Sequence, residues 1–319
     1  MYSFKIAMTV LHAGLLLLLS LISSGGSYDR RGRPRQPNIV TIVVDDLGWG
    51  DINSFTGGEG QIPTPKLDKL AAWGLKLEAN YVQPTCTPSR AALMTGRYAH
   101  NAALTFAIFT ASPAGLPRHL ATLPQLMRRA GYRAHMVGKW HLGYAHWSQT
   151  PVGRGFESHV GSLHGIIEYY TKNMWRHPTN WGGKDWGVYH QNKTYTHFQE
   201  TRHATVAQTQ EAILRMREHV KENAKRREED RKPLFLYLAY NAPHTPYACE
   251  ESWKVRCSHI KHEWRRNHCC MVAGLDTHVP EVVVAARRIL GSNTVVVFTS
   301  DNGGSVWEGG LNTPLRQGV

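Results

Sequence analysis

Apolar residues in this chain form one long run near the start and then short, β-branched blocks set between amphipathic stretches. Ile39 to Val44, Arg133 to Val137, Leu234 to Tyr240 and Thr294 to Thr299 have the length and makeup of buried strands. Helical patterns lie between them. Thr122 with Gln125 spells a capping box, and Gly131 stands where that helix would stop. Thr205 to about Lys225 carries Val206, Ala212, Ile213, Leu214 and Met216, then a charged end, and Val282 to Leu290 predicts a shorter helix. Strands alternating with helices predict an α/β fold with a large, mostly parallel sheet. Residues 99–120 and 144–200 read as loops. Their Trp147, Tyr169, Tyr170 and Trp186 are candidates for stacking on sugar rings or for packing.

The early run reads as a leader. Lys5 precedes the mostly apolar stretch Ile6 to Ile22, and Ser23, Ser24, Gly25 and Gly26 offer small residues for cleavage. A membrane anchor is the alternative, since the run matches the shortest spanning helices, ~17 residues. No later stretch is apolar enough to span, so no stable membrane span is expected after cleavage. The predicted organisation is a signal peptide over 1–24, a linker over 25–37 and one catalytic domain over 38–319.

Every predicted strand ends in a polar cluster: Asp45-Asp46, Gly138-Lys139-Trp140-His141, Asn241-Ala242-Pro243-His244 and Ser300-Asp301-Asn302. Ligands of open α/β sheets sit beyond the carboxyl ends of the strands, so the four clusters should converge. Asp45, Asp46, Asp301 and Asn302 are oxygen donors suited to a hard divalent cation. A lone Asp pair would read as a helix cap; the second acid–amide dyad favours a metal. Lys139, His141, His244 and Arg90 beside that metal would suit an anion such as sulfate or phosphate. Cys86, followed by Pro88, is placed just before a helix N-terminus, where a thiolate would be activated.

Cysteine usage and charge narrow the setting. Cys249, Cys257, Cys269 and Cys270 sit close enough in sequence to form two disulfides, with the pairing open apart from an adjacent Cys269–Cys270 bridge, which strain disfavours. Cys86 is left over. Asn192-Lys193-Thr194 is a glycosylation sequon. The formal net charge of +13 attracts polyanions; behind a leader, sulfated glycans rank above nucleic acid. The charge concentrates in Lys221 to Lys232 and Lys254 to Arg266.

The stretch Cys86-Thr87-Pro88-Ser89-Arg90 followed by Ala91-Ala92-Leu93-Met94-Thr95-Gly96-Arg97 resembles the sulfatase signature. Asp45-Asp46-Leu47-Gly48-Trp49-Gly50, Gly138-Lys139-Trp140-His141-Leu142-Gly143 and Asp301-Asn302-Gly303-Gly304 agree with it. The resemblance runs over about residues 37 to 316 and is strongest to the arylsulfatase B, I and J group, whose first member is N-acetylgalactosamine-4-sulfatase. It implies an alkaline-phosphatase-like sandwich and hydrolysis of sulfate esters, whether aryl sulfates or a sulfated glycan. It also implies passage through the secretory pathway to the lysosome or the extracellular space. By the same resemblance, the formylglycine-generating enzyme oxidises Cys86 to formylglycine. One hydroxyl of the hydrated aldehyde attacks sulfur, and the second drives sulfate out as the aldehyde reforms. Asp45, Asp46, Asp301 and Asn302, with residue 86, would hold Ca2+. Arg90 would support the diol, Lys139 and His244 would bind sulfate, His141 would act as base, and His244 would protonate the leaving oxygen. A phosphatase of the same superfold would instead use a Ser or Thr nucleophile.

The pattern breaks near the end. The family carries a further sulfate-binding lysine after the Asp-Asn-Gly-Gly stretch, whereas here Thr313-Pro314-Leu315-Arg316-Gln317-Gly318-Val319 closes the chain without one. Arg316 stands too early to take that role, and the smaller C-terminal domain has no counterpart. Losing such a cation should cost about 3 kcal/mol of transition-state stabilisation, so low activity or stability is expected of the 319 residues alone. A non-catalytic relative that binds sulfated glycans is the alternative.

Overall fold

The computed structural model describes residues 35–57, 61–110, 112–174, 183–191, 195–197 and 200–315. The expected leader, most of the linker, Asn192 and Arg316 lie outside the described residues.

Seven strands form one sheet: β1 (Asn38–Asp45), β2 (Arg133–Gly138), β3 (Ser158–Gly161), β4 (Gly187–His190), β5 (Tyr195–His197), β6 (Leu234–Pro243) and β7 (Thr294–Ser300). Their spatial order is β5-β4-β3-β2-β6-β1-β7. The neighbours from β3 to β7 pair parallel, and β4 and β5 add an antiparallel edge. All ten residues of β6 are buried, as a central parallel strand covered on both faces requires. Leu234, Leu236, Leu238 and Tyr240 enter one hydrophobic layer, and Phe235, Tyr237 and Ala239 the other.

Helices fill both layers. With Leu236 and Leu238 lie α1 (Pro65–Trp73), α4 (Ala204–Ala224) and α5 (Glu263–Leu290); with Phe235 and Tyr237 lie α2 (Cys86–Thr95) and α3 (Leu123–Arg129). The result is the alkaline-phosphatase-like α/β sandwich. The capping box forms, with the Gln125 side chain accepting the Thr122 N–H at 3.0 Å, and the Thr122 hydroxyl also donates to the Arg154 carbonyl at 2.5 Å. Gly131 follows the helix end with φ +92°.

Three expectations need correction. Val282 to Leu290 is only the end of the 28-residue α5. Pro280 and the charged stretch before Cys269 masked the rest, because Pro280 removes a backbone donor inside the helix. Packing overrides that local cost: Cys269 to Leu275 are all buried, and the Asp276 carboxylate caps α1 by accepting the Lys66 and Leu67 N–H groups at 2.9 Å each. Contrary to the expectation that no later stretch is apolar enough to span, α5 meets that test by length and composition alone, yet it packs inside the core. The third correction concerns 144–200, where β3, β4 and β5 were not anticipated. Each is three or four residues long, too short for alternation to show.

Cys249 pairs with Cys270 and Cys257 with Cys269, across 21 and 12 residues. The adjacent cysteines thus reach different partners and pin the segment before α5 to it. Cross-links over loops of this size contribute ~3 kcal/mol each. Replacing Cys257 and Cys269 together by alanine should lower unfolding free energy by about that amount in urea melts; an unchanged midpoint would show that the bridge carries no stability.

Buried histidines give the fold an acid limit. Burial pushes His159 down to about 4, His203 to about 3 and His219 to about 4. Below pH ~6.5 an unfolded chain protonates these rings while the folded chain does not. Stability is therefore full above that pH and falls between ~6.5 and ~4, by up to ~1.4 kcal/mol per pH unit for each ring. Urea midpoints at pH 7 and pH 5 test this; equal values would refute it.

Candidate active site

Strand register sets the site. Val44 pairs with Ser300 and Asp45 with Pro243, while Gly138 pairs with Ala239. The Asp301 N–H donates to the Val44 carbonyl at 2.9 Å and the Lys139 N–H to the Ala239 carbonyl at 2.8 Å. The carboxyl ends of β1, β2, β6 and β7 therefore finish side by side, and each predicted polar cluster arrives at one place. Gly138 is required there: its φ is +101°, and a Cβ would lie 1.8 Å from the Ala239 oxygen. Asp46 and His141 also hold positive φ, +64° and +57°, the kind of backbone strain that collects at functional sites.

Asp45, Asp46 and Asp301 bring one carboxylate oxygen each within 4.8 Å of one another. The Asn302 amide donates to Asp46 Oδ1 at 2.5 Å. Asp45 Oδ1 and Asn302 Oδ1 are buried and have no hydrogen-bond partner among the described residues. Burial first, and then the neighbouring Asp45, push the Asp301 carboxyl up to about 6. Crowded carboxylates with orphaned oxygens fit a hard divalent cation.

Two cations are buried against these acids. Lys139 is fully buried and donates to Asp45 Oδ2 at 2.5 Å. Burial would lower its pKa, but Asp45 outweighs that and raises it. Arg90 Nε and Nη2 reach Asp301 Oδ2 at 3.0 and 2.8 Å, and Nη1 donates to the Lys139 carbonyl at 2.9 Å. Burial opposes its charge as well, and Asp301 with Asp45 holds its pKa above the ordinary value.

Cys86 is the first residue of α2 rather than the residue before it; Thr85, in extended backbone, is the N-cap. Its thiol is buried. Burial, then the Asp45, Asp301 and Asp46 carboxylates, push it up to about 11 against the pull of Lys139. This overturns the expectation of an activated thiolate: the helix terminus is outweighed by desolvation and three acids, and the unmodified thiol stays protonated.

The two histidines are held differently. His141 is buried, its Nε2 lies 2.9 Å from the Ile108 carbonyl, and Nδ1 has no partner among the described residues. A carbonyl only accepts, so Nε2 carries the proton and Nδ1 presents a free lone pair. Burial, then Lys139, keep the ring neutral by lowering its pKa well below the usual value. His244 Nε2 lies 3.6 Å from Asp46 Oδ2 and Nδ1 lies 2.6 Å from the Thr245 carbonyl. Burial pulls its pKa down, but Asp46 and Asp45 outweigh that and raise it.

Several supporting residues escaped sequence reasoning. The Thr87 hydroxyl donates to the His141 carbonyl at 3.0 Å and accepts the Ile108 N–H at 3.2 Å, so it braces both ends of the imidazole clamp. Gly165 packs on the ring itself, where a Cβ would sit 2.3 Å from His141 Cε1. Asp51 accepts the Gly48 N–H and His268 Nε2, each at 2.9 Å, and pairs with Arg265, tying the turn after Asp46 to α5. Thr87 fills a position inside the signature stretch to which no role attaches from sequence, and Asp51 only follows the Asp45-to-Gly50 motif. Tyr169 and Trp186 are 1% and 2% exposed and serve as packing residues, whereas Tyr170 stays 41% exposed. The Tyr169 hydroxyl lies 2.7 and 2.8 Å from the Asn241 and His244 carbonyls.

Residues 37–318 match the Sulfatase family profile. The chain belongs to the sulfatase family. It is 37% identical to arylsulfatase J of Mus musculus over 88% of its own length and 45% of the relative's. It is 31% identical to N-acetylgalactosamine-6-sulfatase of Canis lupus familiaris over 95% of its length and 57% of that protein. The likeness to arylsulfatase J agrees with the expected subgroup. The chain thus spans about half the length of these relatives. Among solved structures it resembles Ps i-CgsB in complex with k-i-k-neocarrahexaose, with TM-score 0.76 and 33% identity over 89% of this chain and 62% of that one. The PsFucS1 sulfatase from Pseudoalteromonas sp. follows, with TM-score 0.68 and 26% identity over 84% of this chain and 56% of that one.

Proposed function

We propose that this sulfatase hydrolyses sulfate esters, with a sulfated glycan such as one bearing N-acetylgalactosamine 4-sulfate as substrate. The observation that carries the reading is the meeting of Cys86 with three carboxylates whose neighbouring oxygens are orphaned and with two buried cations. Asp45, Asp46, Asp301 and Asn302, with residue 86, would hold Ca2+, which supplies positive charge beside the nucleophile and the sulfate oxygens. Formylglycine at position 86, made by the formylglycine-generating enzyme on the secretory route, supplies a hydroxyl nucleophile in place of the inert thiol.

The other residues follow from their geometry. Lys139 keeps two N–H donors beyond its bond to Asp45 and binds the sulfate group. Arg90, clamped between Asp301 and the Lys139 carbonyl, holds positive charge behind residue 86. His141 accepts a proton at Nδ1, the nitrogen left bare by its bond to Ile108. His244, whose acids favour the charged ring, binds sulfate and gives a proton to the leaving oxygen. The arrangement supports the same roles for these residues that the sequence resemblance implies.

The test is expression in secretory cells that modify sulfatases. The mass of the peptide containing Cys86 and the turnover of 4-nitrophenyl sulfate, with Ca2+ and with a chelator, would be measured. Conversion of Cys86 and chelator-sensitive turnover are expected. An unmodified cysteine with no turnover would replace this reading with a non-catalytic, glycan-binding one.

A further inference from the structure

The opposite end of the sheet carries a feature that the reaction does not use. Two adjoining depressions of about 600 and 630 Å³ open where β2 and β6 begin, and Lys232 lines both. Arg118, Arg128 and Arg129 line the first, while Lys225, Arg226 and Arg231 line the second. With Arg227 and the shared Lys232, eight cationic side chains face three carboxylates: Glu157, Glu229 and Asp230. Glu157 is already taken by Arg133 at 2.8 Å, and Asp230 lies 3.4 Å from Arg227. Arg118, Arg128, Arg129, Arg231 and Lys232 are exposed.

Part of this charge has a local explanation. Arg128 and Arg129 occupy the last turn of α3, where cations complement the helix dipole. That account does not extend to Arg118 or to the adjacent Arg231 and Lys232, which come from two separate loops and meet the same trough. Concentrated cations in a concave surface raise the local potential for a polyanion.

We propose that this basic trough is a second binding site that docks a linear sulfated polysaccharide, about the length of β2, or ~20 Å, from the catalytic strand ends. Two observations favour this occupant over nucleic acid. The chain carries two disulfides, which belong to oxidising compartments. Tyr132, the one Phe, Tyr or Trp lining the trough, is buried, which leaves the exposed His119 as a single ring where a run of bases would need several. The proposed reaction enters only in the choice of a sulfated polymer, and docking requires no turnover. A chain held here would keep the enzyme on a polymer whose sulfate esters it removes at the other end.

The experiment compares heparin binding by the full chain, across a salt series, with that of R118S/R128S/R129S/K232S. A control, K66S/K69S/K254S/K261S, removes equal charge from exposed positions outside the trough. Turnover of a small aryl sulfate and thermal melting are followed in parallel. The trough variant should bind roughly 10–100-fold more weakly with a shallower salt dependence, while the control stays close to the parent and both keep parental turnover. Should the fourfold variant misfold, R118S/K232S replaces it, with a smaller loss in the same direction. Equal losses in trough and control variants would overturn the proposal. So would undiminished binding of desulfated heparin, or equally tight binding of a DNA duplex of matched charge. Absence of turnover in every protein would count against the proposed reaction and leave the binding result standing.

Discussion

Replacing Cys86 by alanine should abolish sulfate ester hydrolysis while leaving the fold intact. The loss should be on the order of 10⁶-fold in kcat, the scale on which removal of a catalytic nucleophile is felt. Cys86 is 8% exposed and opens α2, so alanine fits the helix and leaves only a small void; the unfolding free energy from urea melts should fall by about 1 kcal/mol. Serine is the sharper substitution, because it keeps a hydroxyl in place without the oxidised carbon. If the unmodified side chain reacted, serine would retain turnover; if formylglycine is the nucleophile, serine should be as dead as alanine. The thiol, pushed up to about 11, already argues that the unmodified residue is not a nucleophile at neutral pH. Ordinary turnover in either variant would sink the assignment of residue 86.

The second large effect separates two adjacent acids. Asp45→Asn should cost about 3 kcal/mol of stability, whereas Asp46→Asn should cost less than ~1 kcal/mol. Asp45 is fully buried, and its carboxylate faces Lys139 at 2.5 Å and Arg90 at 3.4 Å. Neutralising it leaves two buried cations to share Asp301. The Asp46 side chain is 15% exposed and faces Asn302 and, at 3.6 Å, His244, so no fully buried cation is stranded. Asparagine also tolerates the positive φ at position 46. Urea melts without added metal measure both costs. Ca2+ added to the parent should raise its melting temperature by linkage, and this gain should shrink in both variants. Equal destabilisation by the two substitutions would mean that the charge cluster at the strand ends is not organised as described.

Most of the site was legible because an open α/β sheet turns linear order into spatial proximity. Four short apolar blocks ending in Asp45-Asp46, Lys139 to His141, His244 and Asp301-Asn302 sufficed to predict convergence at one sheet edge. The structure brings all of them together, with Cys86 and Arg90 delivered by α2. The residues left out share a physical character. Thr87 acts through a backbone carbonyl and an N–H that only the folded loop brings near. Asp51 acts through His268 and Arg265, more than two hundred positions away in sequence. The strands β3 to β5 owe their conformation to the open edge of β2, and so carry no pattern of their own.

The sequence by itself determined the fold class, the oxygen donors, the basic character and the special cysteine, because periodicity, residue chemistry and spacing are local properties. Tertiary structure alone decided which atoms are left over. That His141 Nδ1, Asp45 Oδ1 and Asn302 Oδ1 lack hydrogen-bond partners among the described residues, and that burial keeps the Cys86 thiol protonated, all depend on desolvation and on neighbours from distant segments. The pairing of Cys249 with Cys270 and of Cys257 with Cys269 was likewise decided by the path of the chain into α5, which composition does not encode.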